Sequence, residues 1–554
     1  MSAWIACTIL VALSPAQEPS AAFPVDGVVE NSLTHQPIAR ALVEYAQYAV
    51  LTDIEGRFEL QLPAGTAQVT VRRPGYGGEN SEREMQHTVK VAAKMLPLTF
   101  FLTPSASITG HVTLSTGDEA EGLQFMLYRK TVIEGHSRWM QTGSATAGSD
   151  GVFRLIPLDA PASYVLCSVP FPDENGPTPR ATTVTGYRGG CYPGGVELAS
   201  AIAAPITLSP GQQADVEISL ARQWFYPVSI TLPDENLNTY PQVFDHGGRP
   251  MQAFMRQIGD HAGYEINLPN GSYFAEARVW GKQQLYGRVD FAVSGAPVSG
   301  VTIIPAPVQS IAVEIHKEFT AVPDTGSGMA IVRSLGASDL SASNDPGISL
   351  SLVPADKPFD GPMGTSLRPT GDSPGSGQFE MDPPSPGTYR VEVEGFGTYA
   401  SSIISGGTDL LREPLTIVAG KSTAPIEITL RNDTGRLACT ARATSAQPAA
   451  AASGEIDAAP VFVYVIPVSW NIRKIYRTVA GVANSPFSRG QFALPLPPGA
   501  YLVVASMRDI EIDLDNPDEM SRITAEAQTV NIQPGTTTEV QVDPIDGSSQ
   551  EANQ

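Results

Sequence analysis

The sequence has few charged residues, and basic residues are the scarcer kind. Charged residues make up 17% of the 554 residues, against about 25% in an ordinary globular chain. The 35 Lys and Arg are outnumbered by 57 Asp and Glu, which leaves a net charge of -22. Binding to nucleic acid and docking on anionic lipid both depend on clustered Lys and Arg. The composition therefore argues against both kinds of partner.

Long apolar runs are missing as well. The best one after the N-terminus, Val461 to Val468, contains Pro467 and is far shorter than the about 18 residues that a membrane span needs. At the N-terminus, the apolar run from Ala3 to Leu13 precedes a small-residue cleavage pattern, Ser14-Pro15-Ala16. Residues 1–16 are therefore predicted to be a signal peptide. We expect a protein without a membrane span that is exported to the periplasm, the cell surface or the medium.

Cysteine is scarce: of four in the chain, three follow the predicted signal peptide, namely Cys167, Cys191 and Cys439. No two of them have the CxxC spacing that is typical of structural zinc. Cys167 and Cys191 are separated by a Pro- and Gly-rich stretch that could loop back. In an exported protein a disulfide between them is one alternative, and two unrelated buried thiols are the other.

Histidine motifs of catalysis and zinc binding are also missing, since none of the seven histidines belongs to an HExxH pattern. Gly371-Asp372-Ser373-Pro374-Gly375 spells the string of a hydrolase nucleophile elbow. That motif requires a strand before the serine, a helix after it and a later histidine. Here Pro374 and its neighbours indicate a loop, and no histidine follows His316. We therefore expect that the protein is not an enzyme and that it has no catalytic residue and no cofactor.

The densest acidic stretch contains the only candidate metal ligands, Asp513, Asp515 and Asp518. Clustered carboxylates can bind Ca²⁺, which takes six to eight oxygen ligands. Pro517, however, occupies the fifth position of an EF-hand loop counted from Asp513. A solvated loop is the preferred interpretation, and a calcium site is the alternative.

What the sequence does have is internal repetition. A glycine is followed by a strand with period-2 alternation, then by a turn with Pro or Gly, and then in most copies by a tyrosine that opens a second strand. The spacings between successive copies are 95, 112, 114 and 113 residues, which is the length of a domain and not of a solenoid repeat. We expect the tyrosine hydroxyl to bond back to the turn, as in a tyrosine corner. The copies begin at Gly56, Gly151, Gly263, Gly377 and Gly490.

Four copies carry a phenylalanine two residues after the leading glycine, and alternation places it on the inner face of the strand. We expect these phenylalanines to lie in the core: Phe58, Phe153, Phe379 and Phe492.

Convincing helical periodicity is absent. The predicted fold is all-β, a tandem array of about five Ig-like or transthyretin-like β-sandwich domains. After the signal peptide the predicted domains are 17–104, 105–221 with a Pro/Gly-rich insertion, 222–308, 309–432 with loop insertions, and 433–544, followed by a polar tail, 545–554.

The first unit resembles the carboxypeptidase regulatory-like domain, a transthyretin-like sandwich. The matching segments are Val25 to Val29, Pro37 to Val43, Thr52 to Phe58, Leu62 to Gly65 and Arg72 to Tyr76. The whole chain resembles multi-unit secreted proteins of acidobacteria. The resemblance implies a fold and no catalytic residues. Related sandwiches are grouped with carbohydrate-binding-like folds, but this grouping is an analogy and does not indicate a sugar ligand.

Two functions suit such an array. The first is a non-catalytic structural or interaction protein of the cell envelope or secretome, with its binding residues in the loops. The second is glycan binding by the loop insertions or by aromatic residues of the third unit: Trp224, Tyr226 and Trp280. A buried aromatic set is the other interpretation of these side chains. Both functions imply a protein or glycan partner at the envelope, of unidentified nature.

Overall fold

The structure is a computed structural model that describes most of the chain. The described residues are 22–77, 86–92, 95, 97–133, 135–172, 184–193, 198–233, 239–251, 255–258, 263–279, 284–320, 348–355, 363–365, 367–370, 377–382, 385–395, 397–418, 420–441, 461–468, 474–482, 494–506 and 510–545. The predicted signal peptide and all but the first residue of the predicted tail lie outside them.

The described chain is all-β, as predicted, and its strands form five consecutive sandwiches. The first contains β1 (Ala22–Asn31), β2 (Leu42–Tyr45), β3 (Tyr48–Leu51), β4 (Arg57–Pro63), β5 (Gly65–Arg72), β6 (Gln86–Val91) and β7 (Leu98–Leu102). The second contains β8 (Ala106–Leu114), β9 (Gln124–Ile133), β10 (His136–Thr146), β11 (Val152–Leu158), β12 (Ala162–Ser168), α1 (Leu198–Ala203), β15 (Ile206–Leu208) and β16 (Gln213–Leu220). Two short strands, β13 (Phe171–Pro172) and β14 (Val184–Tyr187), lie between β12 and α1 in the chain and belong to a sheet of the third sandwich.

The remaining three sandwiches follow without a break in the pattern. The third contains β17 (Arg222–Thr231), β18 (Gln242–Asp245), β19 (Arg256–Ile258), β20 (Gly263–Pro269), β21 (Gly271–Val279), β22 (Leu285–Val293), β23 (Val298–Thr302) and β24 (Ala306–Pro307). The fourth contains β25 (Ile311–Glu318), β26 (Ile348–Pro354), β27 (Met363–Thr365), β28 (Leu367–Pro369), β29 (Gln378–Met381), β30 (Gly387–Gly395), β31 (Tyr399–Ser405), β32 (Thr408–Asp409), β33 (Leu415–Ile417) and β34 (Ile426–Arg431). The fifth contains β35 (Gly435–Ala441), β36 (Val461–Pro467), β37 (Tyr476–Val482), β38 (Leu494–Leu496), β39 (Gly499–Ser506), α2 (Pro517–Glu526), β40 (Gln528–Ile532), β41 (Thr537–Val542) and β42 (Pro544–Ile545).

One pairing scheme recurs in all five sandwiches. In the first layer, the opening strand lies between the strand that carries the repeated signature and a parallel closing strand. These trios are β4-β1-β7, β11-β8-β16, β20-β17-β23, β29-β25-β34 and β38-β35-β41. The second layer is built around the strand that follows the turn, in the trios β2-β5-β6, β9-β12-β15, β18-β21-β22, β26-β30-β33 and β36-β39-β40. The sequence repeat is therefore a repeat of topology.

The leading glycine of the signature has a steric reason. Gly56, Gly151 and Gly377 all have a φ near 75°, at 73°, 75° and 73°. A Cβ at these three positions would come within 2.7, 2.4 and 2.5 Å of a carbonyl oxygen of the opening strand. The conformation and the close approach both require glycine.

The described phenylalanines of the signature are buried as predicted: Phe58, Phe153 and Phe379 are 7%, 2% and 6% exposed. Phe492 lies outside the described residues.

The tyrosine that follows the turn forms the predicted corner in three sandwiches. Its hydroxyl donates to the carbonyl oxygen four residues upstream, at 2.8 Å for Tyr273, 2.9 Å for Tyr389 and 2.6 Å for Tyr501. Each ring folds back over a glycine two residues earlier, and a Cβ on Gly271 would come within 3.0 Å of the Tyr273 hydroxyl oxygen. The turn thus needs the tyrosine as an anchor and the glycine as the space beneath it.

The prediction of a chain without helices was wrong at two places. Residues Leu198–Ala203 form the short helix α1, and Pro517–Glu526 form α2 inside the acidic stretch that was expected to be a loop. Asn516 caps α2 by accepting hydrogen bonds from the N–H groups of Asp518 and Glu519. Pro517 occupies the first turn, where its missing N–H removes no hydrogen bond within the helix. The carboxylates of Asp518 and Glu519 stabilise the helix because they lie at the positive end of its dipole. Within the described part of the chain, no helix combines the length and the apolar character that crossing a membrane requires.

By contacts, the chain divides into two compact units. One comprises the described residues from 22 to 105 with 157–159, and the other comprises the described residues of 106–156 and of 160–545. In the second unit, the described part of the predicted insertion of the second domain contains two short strands. Its strands β13 and β14 extend the first layer of the third sandwich, because β14 pairs with β17. The predicted domain boundaries otherwise stay predictions.

Candidate functional site

A cluster of polar contacts joins the second and fifth sandwiches. The acidic segment, Glu511 to Asp515, lies against the tip of the β9–β10 hairpin. The N–H of Leu514 donates to the carbonyl oxygen of Gly135 at 2.7 Å, and the N–H of Val132 donates to Glu511 Oε2 at 3.2 Å. Gly135 has a φ of 82°, and a Cβ there would lie 2.5 Å from Leu514 Cδ1. Glycine at the hairpin tip therefore allows the acidic segment to approach.

Charge pairing strengthens this contact in a chain that is acidic overall. Arg129 Nη2 lies 3.6 Å from Glu511 Oε1, and Lys130 Nζ lies 3.4 Å from Asp513 Oδ2. The Asp513 side chain is only 6% exposed. A buried carboxylate without a cationic partner would cost far more free energy than an exposed one, so the contact with Lys130 matters here. The acidic segment thus fits a small basic patch on one hairpin.

Asp515 extends the contact to a third sandwich. Its Oδ2 lies 2.7 Å from Nδ1 of His136, which is buried, and accepts a hydrogen bond from Arg390 Nη2 of the fourth sandwich at 3.4 Å. Arg138 Nη2 donates to the carbonyl oxygen of Pro354, also in the fourth sandwich, at 2.8 Å. A histidine beside an aspartate is an arrangement that can also serve catalysis. Here the same carboxylate oxygen is shared with a guanidinium, and the group connects three sandwiches.

Beside this group lies a cavity of about 120 Å³ between the fourth and fifth sandwiches, with His136 at its edge. For comparison, an apolar cavity of about 150 Å³ holds benzene. The cavity therefore has room for roughly one ring. Its lining includes buried apolar side chains of the fourth sandwich, two tyrosines and charged side chains of both signs: Val391, Ala400, Ile403, Leu410, Tyr399, Tyr476, Arg390, Arg412, Glu394 and Lys474.

Polar side chains that line the cavity form hydrogen bonds and ion pairs with other protein groups. The Tyr399 hydroxyl donates to Asp433 Oδ1 at 2.8 Å. Burial, followed by that bond and the charge of Asp433, raises the pKa of Tyr399 to about 12. This hydroxyl is therefore a hydrogen-bond donor at neutral pH and not a base. Lys474 forms an ion pair with Glu394 across the two sandwiches.

The three candidate calcium ligands are not brought together as a metal site. Asp513 faces Lys130 and Asp515 faces His136 and Arg390, while Asp518 lies in the first turn of α2. Among the described residues, no group of three or more His, Cys, Asp or Glu side chains is arranged to hold a metal ion. These carboxylates are instead occupied by cationic side chains and by a helix N-terminus.

The aromatic candidates for glycan stacking do not form one surface. Trp224 is 57% exposed, whereas Tyr226 is half-buried and packs against the core of the third sandwich. Phe225, on the opposite face of β17, is fully buried. Trp280 lies outside the described residues. The structure therefore leaves Trp224 as the one exposed aromatic side chain of the described pair.

The disulfide alternative for the cysteines is the one that the structure shows. Cys167 and Cys191 are bonded, with a Cα–Cα distance of 4.0 Å, and Cys439 is a buried free thiol. Burial raises the pKa of the Cys439 thiol to about 11, which keeps it protonated and unreactive at neutral pH. The hydrolase-like string Gly371 to Gly375 lies outside the described residues.

The sequence reasoning missed the residues that join the sandwiches. Asn516 and Pro517, followed by two acids, are a recognisable helix start, so α2 could have been found from the sequence. His136 and Arg390 carried no such signal, because their common partner Asp515 is 379 residues from the first and 125 from the second.

Comparison with known proteins identifies no family. No protein-family model matches the chain, and no curated protein sequence matches it either. Among solved structures, the Bacillus anthracis TIE protein is 11% identical, with 75% of each chain covered and a TM-score of 0.15. A streptococcal ancillary pilin is 10% identical over 52% of this chain and 100% of its own, with a TM-score of 0.18. The minor pilin of Streptococcus agalactiae is 13% identical over 37% of this chain and 99% of its own, also with a TM-score of 0.18. The all-β assignment rests on the strand pairing of this chain itself.

Proposed function

We propose that this chain is a non-catalytic, exported structural or interaction protein of the cell envelope or secretome. The observation that carries the proposal is the use made of its potentially reactive side chains. His136, Asp515 and Arg390, which could form a catalytic group elsewhere, join three sandwiches to one another. The recurring Gly, Phe and Tyr of the signature serve turns and cores, which leaves the loops that differ between sandwiches for binding.

The disulfide supports the export part of the proposal. Disulfides persist in oxidising compartments such as the periplasm, the cell surface and the medium, and they are rare in the cytosol. The Cys167–Cys191 bond therefore agrees with the N-terminal signal peptide that the sequence predicts. Membership of the first sandwich in the carboxypeptidase regulatory-like family is likewise a proposal, based on the matching segments between Val25 and Tyr76.

The experiment compares Asp515→Asn with a matched control, Asp290→Asn. Asp515→Asn keeps the shape of the side chain and removes the negative charge of the carboxylate that both His136 and Arg390 contact. We expect faster hydrogen exchange in the β9–β10 hairpin and in the acidic segment, because the docked state loses its charge pairing. Asp290 is an exposed partner of Arg288 on the third sandwich, and its replacement is expected to leave exchange in both segments unchanged.

The non-catalytic part is tested separately, with the purified chain assayed against a panel of hydrolase and peptidase substrates. We expect no turnover. Turnover that a single loop substitution abolishes would show that the chain is an enzyme and would overturn the proposal. Unchanged exchange in Asp515→Asn would instead show that the three-sandwich contact does not carry it.

Glycan binding is the alternative, and the exposed Trp224 is the observation that favours it. Sugar rings stack on exposed aromatic faces, which bury apolar area and leave the sugar hydroxyls free to bond. Screening the wild-type chain and Trp224→Ala against a glycan array tests this alternative. Binding that is lost in Trp224→Ala, and kept in the exposed control Tyr240→Ala, would replace the structural proposal by glycan recognition.

A further inference from the structure

The disulfide lies where the third sandwich packs against the second. Cys167 is in β12, and Cys191 follows β14 in the segment that returns toward it. The backbone on both sides is tied to the same strand, since the N–H of Ser168 donates to Gly190 O at 2.8 Å and that of Tyr192 donates to Leu166 O at 2.9 Å. Both cysteines are buried, at 2% and 3% exposure. The bond thus closes a socket on the second sandwich, formed by residues 188–192 and β12.

A single arginine of the third sandwich fills this socket. Arg249 ends the tight turn after β18 and is 6% exposed, although the three residues before it are exposed. Its Nη1 lies 3.8 Å from Cys191 Sγ, and its Nη2 donates to Gly189 O at 3.5 Å. The guanidinium therefore covers one of the two sulfurs.

The charge of Arg249 is balanced from its own turn. Asp245 Oδ2 accepts a hydrogen bond from Arg249 Nε at 3.0 Å, and Asp245 Oδ1 accepts one from the Arg249 backbone N–H at 2.9 Å. Because the acid and the base belong to one turn, they can leave the socket together without separating a buried ion pair. Tyr128, Trp139 and Ala201 also pack with the two cysteines. Undocking of the turn therefore uncovers the side of Cys191 Sγ that Arg249 contacts, and it leaves no charge unpaired.

The chemistry of reduction makes this cover decisive. An attacking thiolate must reach one sulfur of the disulfide directly, so access limits the rate. In the docked state both sulfurs are buried and Arg249 lies against Cys191, so no external thiolate can reach them. Reduction by a dithiol takes two electrons and two protons, gives the thiols of Cys167 and Cys191, and converts the dithiol into its own disulfide.

We propose that Arg249 controls access to the Cys167–Cys191 bond, so that the bond is reduced only when the turn of the third sandwich leaves the second. Docking and disulfide then depend on each other. Undocking favours reduction, and reduction favours undocking by the same factor, because coupling between two equilibria is reciprocal. The bond becomes a redox-sensitive element that sets the contact between two sandwiches.

The first test measures reduction of the full-length chain by excess dithiothreitol, with timed alkylation and mass spectrometry of the two cysteines. Arg249→Met keeps the apolar stem and removes the guanidinium. We expect reduction at least tenfold faster than in the wild type, with Arg249→Lys between the two. The matched control is Arg256→Met, which removes an exposed arginine paired with Glu265 on the same sandwich, and its rate is expected to stay within twofold of the wild type.

Global unfolding would also expose the sulfurs, so a second control separates the two routes. Ile266→Val loosens the core of the third sandwich without touching the turn, and we expect it to leave the reduction rate within twofold. Acceleration in Ile266→Val equal to that in Arg249→Met would overturn the role of Arg249. A wild-type rate in Arg249→Met would overturn it as well.

The reciprocal measurement needs no variant and holds even if Arg249→Met fails to fold. Hydrogen exchange is compared in the oxidised and the reduced, alkylated wild-type chain. We expect faster exchange after reduction in the turn from Asp245 to Arg249 and at the end of β12, with no change in the first sandwich. Equal exchange in the turn before and after reduction would show that disulfide and docking are independent.

Discussion

The tyrosine corner of the third sandwich allows a prediction with a defined magnitude. Tyr273→Phe removes one hydroxyl and keeps the ring, which is 4% exposed and stacks near Phe291. The hydroxyl donates to Pro269 O at 2.8 Å, and burial raises its pKa to about 12, so it remains a donor across the physiological range. A buried hydrogen bond contributes about 1 kcal/mol, and an acceptor left without its donor adds up to about 2 kcal/mol. We therefore expect a loss of about 1–3 kcal/mol.

Gly271 offers an independent way to disturb the same hydrogen bond. A Cβ at this position would lie 3.0 Å from the Tyr273 hydroxyl oxygen and 3.1 Å from Cζ. These distances are tighter than normal van der Waals contacts, so the ring must shift by a few tenths of an ångström. Gly271→Ala is thus expected to weaken the bond to Pro269. Because both changes act on one interaction, the double variant is expected to lose less than the sum of the single losses, by at least about 0.5 kcal/mol.

The assay is hydrogen exchange of the amides in β20 and β21, which reports the free energy of local opening without assuming that the whole chain unfolds in one step. Tyr240→Phe is the matched control, since that ring is 69% exposed and its change is expected to cost under about 0.5 kcal/mol. A loss below about 0.5 kcal/mol in Tyr273→Phe, or strict additivity in the double variant, would refute the corner as an anchor of the turn.

Three further predictions concern the other sandwiches. Phe153→Ala is expected to cost about 3–5 kcal/mol in denaturant unfolding, because the ring is buried and stacks on Phe125 at 4.0 Å; Ile156→Ala, exposed on the same strand, should cost far less. Joint replacement of Cys167 and Cys191 by serine removes a bond across 24 residues, and the loop-closure relation predicts a loss of about 3.5 kcal/mol, measured against the oxidised wild type. Burial lowers the pKa of His87 from its ordinary value of 6.5. The unfolded chain therefore binds the proton first, and the first sandwich should lose stability as the pH falls below about 6.5. Hydrogen exchange compared at pH 7.5 and 5.5 should show this loss of stability in the wild type and not in His87→Phe.

Much of the fold followed from local rules that a sequence displays directly. Period-2 alternation identified the strands, and Pro and Gly identified the turns between them. Five copies of the signature, four of them with Gly-x-Phe, indicated one scaffold used five times, and the structure shows why its parts recur. Gly56, Gly151 and Gly377 avoid a carbonyl oxygen, the three described phenylalanines fill the cores, and three tyrosines anchor the turns. These features depend on residues within one sandwich, so their spacing carries the information.

The helix α2 is an intermediate case. Its start signal, Asn516 and Pro517 followed by acids, is local and readable, yet the density of carboxylates favoured a loop or a calcium site. The structure occupies those carboxylates in another way, because Lys130 and His136 of the second sandwich lie opposite Asp513 and Asp515. Whether an acidic stretch meets water, a metal ion or basic side chains depends on what the fold places against it.

The sequence by itself determined the all-β class, the five-fold repetition and the identity of the turn and core residues, because each of these depends on neighbours close along the chain. Only the tertiary structure decided how the sandwiches of the second unit are joined. The pairing of Asp515 with His136 and the insertion of Arg249 against Cys191 connect residues 379 and 58 positions apart. Such contacts leave no periodic trace in the sequence, because a single charged side chain on a loop looks the same whether it meets a partner or water.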